Sequence, residues 1–458
     1  MTSIVRQTAD GSESWQRSRL RLPLAGLFVA LPAILFFVFL FRTTLDLPFF
    51  DDYDAALDFM NQLTQLHGFT SKALFLIAAQ HNEYKILFEQ ALIWLQFSLC
   101  GHIDFRVLST VGNGFVLLLA LLLWKMFLPA CNDLGLRLAL FLPVSWLLFQ
   151  FEYYEVLNWG SAALMHITVL VFAFAAIYLL FQTTRSAFCG AIACFVLAVV
   201  SSGNGFLLLP IGLLILIGER RYTRATAWLI AAAGCIAIYS YHYNVMSSQA
   251  QTHRSVFAIL LRMRAAYMIA FIGNAAGIPF MAGSFALGTA LCLFFAWMAY
   301  RGYIRRNPLV ACCVLFLLMT AVGVAGIRSD LGLEQSLSSR YTIYSALLLI
   351  FAWLVFVEEF LQHQRKSLLN NGAYLSAVAA AVLFSLFMSA IGSLMIEKRD
   401  RLLIEGMTSF EHPATPESTE GPDIPLPDEN AWRASFKPHA RAVLVESIRL
   451  GVYLPPKY

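Results

Sequence analysis

The sequence predicts an all-α integral membrane protein with about eleven transmembrane helices. Of its 458 residues, 59% are hydrophobic and only 13% are charged, which is far too apolar for a soluble protein of this length. Apolar runs recur along most of the chain, and a helix of about twenty such residues crosses a hydrocarbon core of about 30 Å. The spans are predicted at 24–41, 107–127, 138–150, 161–181, 187–200, 205–218, 225–242, 284–300, 309–326, 341–357 and 373–395.

The first span separates a cytoplasmic N-terminal segment, residues 1–23, from the membrane domain, residues 24–395. Arg17, Arg19 and Arg21 precede this span as in a secretory signal. No small-residue cleavage site follows, so an uncleaved span is expected. After the last span, residues 396–458 are polar and contain several prolines, which predicts a short external tail.

Basic residues indicate the orientation in the membrane. With a cytoplasmic N-terminus, every predicted inside turn is basic, as the positive-inside rule requires. These turns hold Lys125, Arg137, Arg185, Arg220, Arg221, Arg224, Arg301, Arg305, Arg306, Arg365 and Lys366. Two external segments, about 42–106 and about 243–283, are longer than connectors need to be. The first is expected to hold a helix around 55–66 and an interfacial helix at 86–99, and the second an interfacial or re-entrant helix.

Polar and charged residues gather at the predicted outer ends of the spans. Connectors alone would not segregate in this way, so a site on the outer face is expected. Asp51 and Asp52 follow the first span directly, because Pro48 ends that helix. A carboxylate held there can act as a general base toward a hydroxyl or hold a divalent metal. The simpler alternative is that one of the two only caps the helix beginning near Tyr53.

Two arginines are candidates for binding phosphate. Arg340 stands at the outer end of the tenth span, and a guanidinium there can bind a phosphate through a bidentate, permanently charged fork. Arg328 is the second candidate. Either side chain can instead snorkel to lipid headgroups or pair with Asp330 or Glu334.

Six further residues are predicted to contact substrate. His81 and Glu83 can orient a sugar, a phosphate or the catalytic aspartate, although a plain surface loop explains them equally well. Trp159 can form a sugar platform or anchor the membrane interface. Asn204 lies between two glycines that suit either ligand approach or tight helix packing. The remaining two are Glu152, a carboxylate near a span boundary that is expected to have a partner, and Tyr341.

In their order along the chain and in the side of the membrane predicted for them, these motifs resemble those of the GT-C superfamily of polyprenyl-phosphate-sugar-dependent glycosyltransferases. The resemblance covers about residues 24–395. The protein O-mannosyltransferases and the lipid A aminoarabinose transferases are such proteins. The chain looks still more like uncharacterised bacterial members with an acidic pair after the first span. Those members also carry the motifs that are found here as His81-Asn-Glu83, Trp159-Gly160, Gly203-Asn-Gly205 and Ser339-Arg-Tyr341.

The resemblance implies an inverting transferase in a bacterial inner membrane, with its active site facing the periplasm. Asp51 or Asp52 would deprotonate an acceptor hydroxyl, which displaces polyprenyl phosphate from the sugar, while Arg340 steadies the leaving phosphate. The implied partners are a polyprenyl-phosphate-linked sugar, a lipid-linked or cell-surface glycan acceptor and membrane lipids. No nucleic acid and no cofactor are expected, although a divalent metal at the Asp51–Asp52 pair stays open.

Two other functions fit the composition less well. A polysaccharide polymerase or ligase would also have many spans and outward arginines, but it would not need an acidic pair beside the first span. A transporter or lipid flippase would bury charges near the midplane and show inverted repeats with broken helices. The spans here are almost free of charge at their centres.

Overall fold

A computed structural model describes residues 2–82, 84–126, 133–244, 257–277, 280–361, 372–411 and 439–456. Across these ranges the protein is helical, with two isolated bridges and no β-strand. The α-helices are α1 (Thr2–Thr43), α2 (Phe59–Thr64), α3 (Phe69–Ala78), α4 (Leu87–Cys100), α5 (Phe105–Met126), α6 (Leu134–Leu148), α7 (Tyr154–Leu157), α8 (Gly160–Leu180), α9 (Arg185–Ser201), α10 (Leu208–Gly218), α11 (Tyr222–Ser240), α12 (Phe257–Ile272), α13 (Met281–Tyr300), α14 (Tyr303–Arg306), α15 (Pro308–Arg328), α16 (Ser339–Phe356), α17 (Gly372–Glu411) and α18 (Arg441–Arg449).

The prediction of an all-α membrane protein is confirmed. Seven segments of the described chain are helical, long and apolar enough to cross a membrane: Leu22–Thr43, Phe105–Met126, Gly160–Leu180, Met281–Tyr300, Pro308–Leu331, Ser339–Glu359 and Gly372–Thr408. Helices α6, α9, α10 and α11 stand at the other four predicted spans, but they are shorter or less apolar. The count of eleven spans therefore stays a prediction.

Helices α8 and α16 form the centre of the bundle. In the most apolar 18-residue stretch of each helix, 72% of the residues of α8 and 78% of those of α16 are buried. The corresponding share is 17% in α1 and 22% in α13, which lie at the outside of the bundle. Small residues let α8 and α5 approach closely. A Cβ added at Gly112 on α5 would lie 2.6 Å from the Cβ of Ala163 on α8. Close backbone approach of this kind is how helices gain dispersion energy in a membrane, where lipid removes most of the hydrophobic driving force.

The segment at about 42–106, which we continue to call the first external segment after its predicted side, contains short helices, and two helical stretches stand where helices were predicted. A π-helical turn, Tyr53–Asp58, leads into α2, and α3 and α4 follow. The layer of these short helices has its own apolar core, which includes Leu47, Phe59 and Ile93 and is separate from the core of the bundle.

The C-terminal residues belong to the same layer. Helix α17 runs without a break through the predicted boundary at residues 395 and 396. Beyond it, α18 and the residues after it dock on the first external segment. Asn61 Nδ2 donates to the Val443 carbonyl over 3.3 Å, and the Tyr453 hydroxyl donates to the Asp46 carbonyl over 2.6 Å. Residues 439–456 thus form part of the wall around the aspartate stretch.

In the second long segment, the described residues form the predicted helix, α12. It packs against α13, α15 and α16. At its end, Asn274 is buried and its Nδ2 donates to the carbonyls of Ser336 and Ser338, over 3.1 and 3.0 Å. These bonds fix the loop that connects Arg328 to the start of α16. The rest of the segment, at 245–256 and 278–279, lies outside the described residues.

Candidate functional site

The two adjacent aspartates face different surroundings. Asp52 is buried, and its Oδ2 accepts the backbone N–H of Phe49 over 3.0 Å. Its Oδ1 accepts the backbone N–H of Ser161 over 3.2 Å and also the Ser161 hydroxyl. Asp52 therefore caps the N-terminus of α8, a helix more than a hundred residues away, and its side chain makes no capping bond to its own helix. The Asp51 side chain is 35% exposed and does not cap α8.

The backbone just before the pair is strained. Phe50 has φ of +45°, in the left-handed region that bulky residues avoid. Such a conformation costs about 1–3 kcal/mol and persists only where the surrounding structure enforces it. Here Phe49 and Phe50 pack on the Trp159 ring, with centroids 5.3 and 5.7 Å away. This packing holds Phe50 in the strained conformation and offsets its cost.

Asp51 lies in a positively charged setting. Its Oδ2 is 3.5 Å from Nε2 of His81, which is itself buried. Burial raises the pKa of the Asp51 carboxyl. His81, Arg340 and Arg328 outweigh that effect and hold the pKa below its usual value. The structure thus brings the predicted base and both predicted phosphate-binding arginines to one place, and the carboxylate there is the ionised form that a general base requires.

Arg340 is held between aromatic rings at the start of α16. Its guanidinium carbon lies 5.8 Å from the centroid of the Trp159 ring and 5.5 Å from that of Tyr341. Both rings are buried, so the cation is partly removed from water. Its Nε is buried without a hydrogen-bond partner among the described residues. The head group therefore has an N–H in place for an anion.

Glu155, on α7, fixes the backbone that carries Arg340. Its Oε2 accepts the Ser338 hydroxyl over 2.7 Å and the Arg340 backbone N–H over 3.1 Å. In return, its own N–H donates to the Ser339 hydroxyl over 2.9 Å. The sequence interpretation selected Glu152 from this stretch and missed Glu155. Nothing in the sequence distinguishes the two glutamates, because the partners of Glu155 lie more than 180 residues away.

Tyr84, Asn204 and Tyr341 surround the same region. The charges of Asp51, Arg328 and Arg340 all act on the Tyr84 hydroxyl. Asn204 interacts with the Tyr344 hydroxyl, one turn of α16 beyond Tyr341. We call Asp51, His81, Tyr84, Arg328, Arg340 and Tyr341 the Asp51 cluster. Its members come from the first external segment, the end of α15 and the start of α16, which agrees with the predicted gathering of polar residues at one end of the bundle.

The two glycines beside Asn204 have different roles. A Cβ at Gly205 would lie 2.3 Å from the backbone of Ala198 on α9, so Gly205 is needed for tight packing. A Cβ at Gly203 would meet nothing closer than the Tyr239 hydroxyl, at 3.5 Å, and the Tyr84 Cβ, at 3.9 Å. Of the two explanations left open by the sequence, helix packing therefore accounts for Gly205, while Gly203 faces the Asp51 cluster.

The described residues do not place two other predicted residues in the cluster. Glu83 lies outside the described residues. Glu152 is buried, and neither of its carboxylate oxygens has a hydrogen-bond partner within the described chain. The partner expected for it is therefore not found there. Burial raises the pKa of Glu152 well above its usual value, which favours the neutral acid.

Glu89 is a second buried acid that the sequence interpretation treated only as a polar residue of the interfacial helix. It lies on α4 and, like Asp52, interacts with Ser161. Burial raises the pKa of Asp52 to about 7, and that of Glu89 well above its usual value. The negative charge of Asp51 adds to both shifts. Asp52, next to Asp51, is therefore about half protonated near pH 7 and mostly neutral below it, while the lowered pKa of Asp51 keeps that carboxylate charged.

The orientation of Asp52 also bears on metal binding. Both of its oxygens are used by N–H and O–H donors, so the pair does not present two free carboxylates to one ion. Over the described ranges, no group of three His, Cys, Asp or Glu side chains is arranged to hold a metal. The divalent metal left open at the Asp51–Asp52 pair stays a prediction.

Chemically, the Asp51 cluster combines an ionised carboxylate with the positive charges of Arg328 and Arg340, and the Arg340 guanidinium lies beside two buried aromatic rings. It can accept a proton from a hydroxyl, bind an anion and stack against a sugar or another flat apolar face. No protein-family model, no curated protein and no solved structure matches this chain.

Proposed function

We propose that the protein is a membrane glycosyltransferase of the GT-C type, which uses a polyprenyl-phosphate-linked sugar as donor. The acceptor would be a lipid-linked or cell-surface glycan at the outer face of a bacterial inner membrane. The observation that carries the proposal is the position of Asp51. Its carboxylate is 3.5 Å from His81, and Arg340 and Arg328 are near enough to hold its pKa below the usual range.

In the proposed step, the Asp51 carboxylate accepts the proton of the acceptor hydroxyl. The hydroxyl oxygen attacks the anomeric carbon and forms the new glycosidic bond with inversion. The bond between that carbon and the phosphate oxygen breaks, and its electron pair leaves with polyprenyl phosphate. Negative charge grows on the phosphate as this bond breaks, so arginines aimed there stabilise the transition state more than the bound donor.

The surroundings of each residue are consistent with this assignment. Arg340 rests on Trp159 and Tyr341 and keeps a buried N–H that has no partner in the described part of the chain, which suits a transient phosphate. His81 contacts Asp51 and can orient it. Asp52 has its oxygens engaged at the end of α8, so we assign it a structural role and assign the base to Asp51 alone.

The test is mass spectrometry of the surface glycans, the lipid A and the polyprenyl phosphates from a bacterial strain that lacks the protein. The strain is complemented with wild type, Asp51→Asn or Asp54→Asn. Asp54 is the matched control because it lies in the same stretch but is exposed and contacts His439. Wild type and Asp54→Asn should add one sugar to the acceptor. Asp51→Asn should leave the acceptor unmodified and let the polyprenyl-phosphate sugar accumulate.

Two results would contradict the proposal. Identical glycans and lipids with wild type and with Asp51→Asn would remove the base assignment. A donor that accumulates as a polyprenyl-diphosphate glycan would instead indicate a polymerase or ligase.

A further inference from the structure

Helix α17 places a second buried arginine, Arg399, beside the aromatic pair that supports Arg340. Only 4% of Arg399 is exposed. Its guanidinium carbon lies 5.5 Å from the centroid of the Phe49 ring. Phe49 in turn packs edge-to-face on Trp159, the ring that lies beneath Arg340. The two guanidinium groups therefore contact the two members of one aromatic pair.

The hydrogen-bonding capacity of Arg399 is largely unused. Its Nη2 donates to the carboxylate of the neighbouring Asp400 over 3.1 Å. Its Nε and Nη1 are buried without a hydrogen-bond partner among the described residues. A guanidinium has five N–H donors, and buried donors are almost always paired. Two unpaired nitrogens on a permanently charged group thus indicate an anion that binds there.

The neighbours of Arg399 indicate what kind of anion this is. Its polar neighbours are Asp400 and Tyr154, on whose hydroxyl the Arg399 charge acts, and its other neighbours named here are apolar. Phe49 lies under the guanidinium, and Leu403 packs against Phe49 and Trp159 from the next turn of α17. An apolar crevice lined by Leu47, Pro48, Leu402 and Leu403 begins at the next turn of α17. A soluble anion would leave these surfaces uncovered, whereas an anion attached to a hydrocarbon chain would cover them.

We infer that Arg399 forms a second anion subsite, which holds the phosphate group of a lipid-linked acceptor on the far side of Phe49 from Arg340. The inference rests on the proposed function, because it assigns the first phosphate to the donor at Arg340. It narrows the acceptor to a phosphate-bearing lipid. In this arrangement the Phe49–Trp159 pair separates the two phosphates, and the acceptor enters from the side of α17.

Direct binding of two phosphate lipids tests the inference. The probe is undecaprenyl phosphate, measured by native mass spectrometry on the purified full-length protein, with undecaprenol as the phosphate-free control. Wild type should bind two undecaprenyl phosphates above the undecaprenol background. Arg340→Ala and Arg399→Gln should each bind one, and each should lose its own site by about tenfold or more. Arg399→Lys should retain weakened binding.

Arg401→Gln is the matched control, because Arg401 lies on the same helix, is exposed and pairs with Glu397. It should bind two lipids as wild type does. Two lipids bound equally by wild type and Arg399→Gln would overturn the inference. If Arg399→Gln does not fold, the number of lipids bound by wild type decides. Binding of only one lipid by wild type, lost in Arg340→Ala, would overturn the inference. Displacement of the Arg399-dependent lipid by millimolar inorganic phosphate would assign the subsite to a free anion and also overturn it.

The same measurement separates this inference from the proposed function. Phosphate-lipid binding that Arg340→Ala does not reduce would count against the donor site and hence against the proposed function. Binding that depends on Arg340 but not on Arg399 would leave the proposed function standing and remove only the second subsite.

Discussion

The Asp52 carboxylate accepts the backbone N–H of Ser161 over 3.2 Å, and this bond joins the first external segment to the N-terminus of α8. The partial positive charge at the start of a helix favours a carboxylate in this position. The bond also has a consequence for the neighbouring residue. With Asp52 fixed and Phe50 in the left-handed region, Asp51 is directed toward His81 and the two arginines. One aspartate thus anchors the loop and the other is available for chemistry.

Asp51→Asn and Asp52→Asn should therefore fail in different ways. Asp51→Asn should keep its thermal unfolding temperature and lose transfer by about 10²-fold or more, because an amide cannot accept the acceptor proton. Asp52→Asn replaces an accepting oxygen with a donor that faces N–H groups. At pH 5 this should lower the free energy of unfolding by about 1–2 kcal/mol. Unfolding in detergent and transfer per inserted protein are measured together. Loss of transfer in Asp52→Asn alone would reverse the assignment.

The stability of the protein should fall as the pH rises toward 7. The pKa of Asp52 is about 7 in the folded protein, above its usual value of 3.8, because burial favours the neutral acid. A raised pKa contributes stability that is fully present below about pH 4 and is lost as the pH rises through 7. A single group of this kind gives a slope of about 1.4 kcal/mol per pH unit.

Thermal unfolding of wild type and Asp52→Asn between pH 4 and pH 8 checks this prediction. The variant lacks the titrating group, so its deficit of about 1–2 kcal/mol at pH 5 should shrink by about 1.4 kcal/mol per pH unit, reverse in sign before pH 7 and level off above it. A constant difference over the whole range would show that Asp52 does not titrate there.

The acid limb of the pH–rate profile, where the transfer rate falls as Asp51 becomes protonated, should depend on the arginines around Asp51. In wild type the pKa of Asp51 is held below its usual value, so the base stays ionised and active under mildly acidic conditions. Arg328→Gln removes one of the positive charges responsible. The acid limb should therefore move to higher pH in this variant, whereas Arg305→Gln, an exposed charge on a predicted cytoplasmic turn, should leave it in place. The measurement is transfer at saturating donor against pH. Coincident acid limbs in wild type and Arg328→Gln would place Arg328 outside the site.

Gly205→Ala and Gly203→Ala should separate packing from ligand approach. An added methyl at Gly205 would overlap the Ala198 backbone, so this variant should lose about 1–3 kcal/mol of stability or fail to insert. A methyl at Gly203 has room, so Gly203→Ala should fold normally. Any effect of Gly203→Ala should fall on the KM for donor or acceptor, because this glycine faces Tyr84. Equal unfolding temperatures for the two variants would contradict the packing argument.

The positions of the helices can be predicted from the sequence more directly than the contacts between distant side chains. Apolar length and basic turns depend on local composition, which is why helices stand at the predicted spans and why Asp51, Arg328 and Arg340 share one end of the bundle. The partners of Glu155 and Asp52 were not predictable, because each bond joins residues more than a hundred positions apart. Arg399 was missed for a related reason. Its position after the last apolar span indicates a polar tail, but α17 continues as one helix and brings Arg399 against Phe49.

Arg340 gives the sharpest test of the leaving-group assignment. Its guanidinium is held by the Trp159 and Tyr341 rings, and Glu155 fixes its backbone. A planar fork in this setting can donate two parallel N–H bonds to a phosphate. Lysine keeps the charge but loses that geometry and the ring stacking. Arg340→Lys should therefore reduce turnover about tenfold, and Arg340→Ala by about 10²-fold or more, with little change in the KM for acceptor.

The measurement is transfer from a purified polyprenyl-phosphate sugar at saturating donor, normalised to inserted protein. Arg340→Lys and Arg340→Ala should insert as wild type does, because the Glu155 bond to the Arg340 backbone does not depend on the side chain. If Arg340 only snorkels to lipid headgroups, lysine should substitute freely and alanine should alter insertion more than turnover. Equal turnover for arginine and lysine would therefore move the leaving-group role to Arg328, whose charge also reaches Asp51.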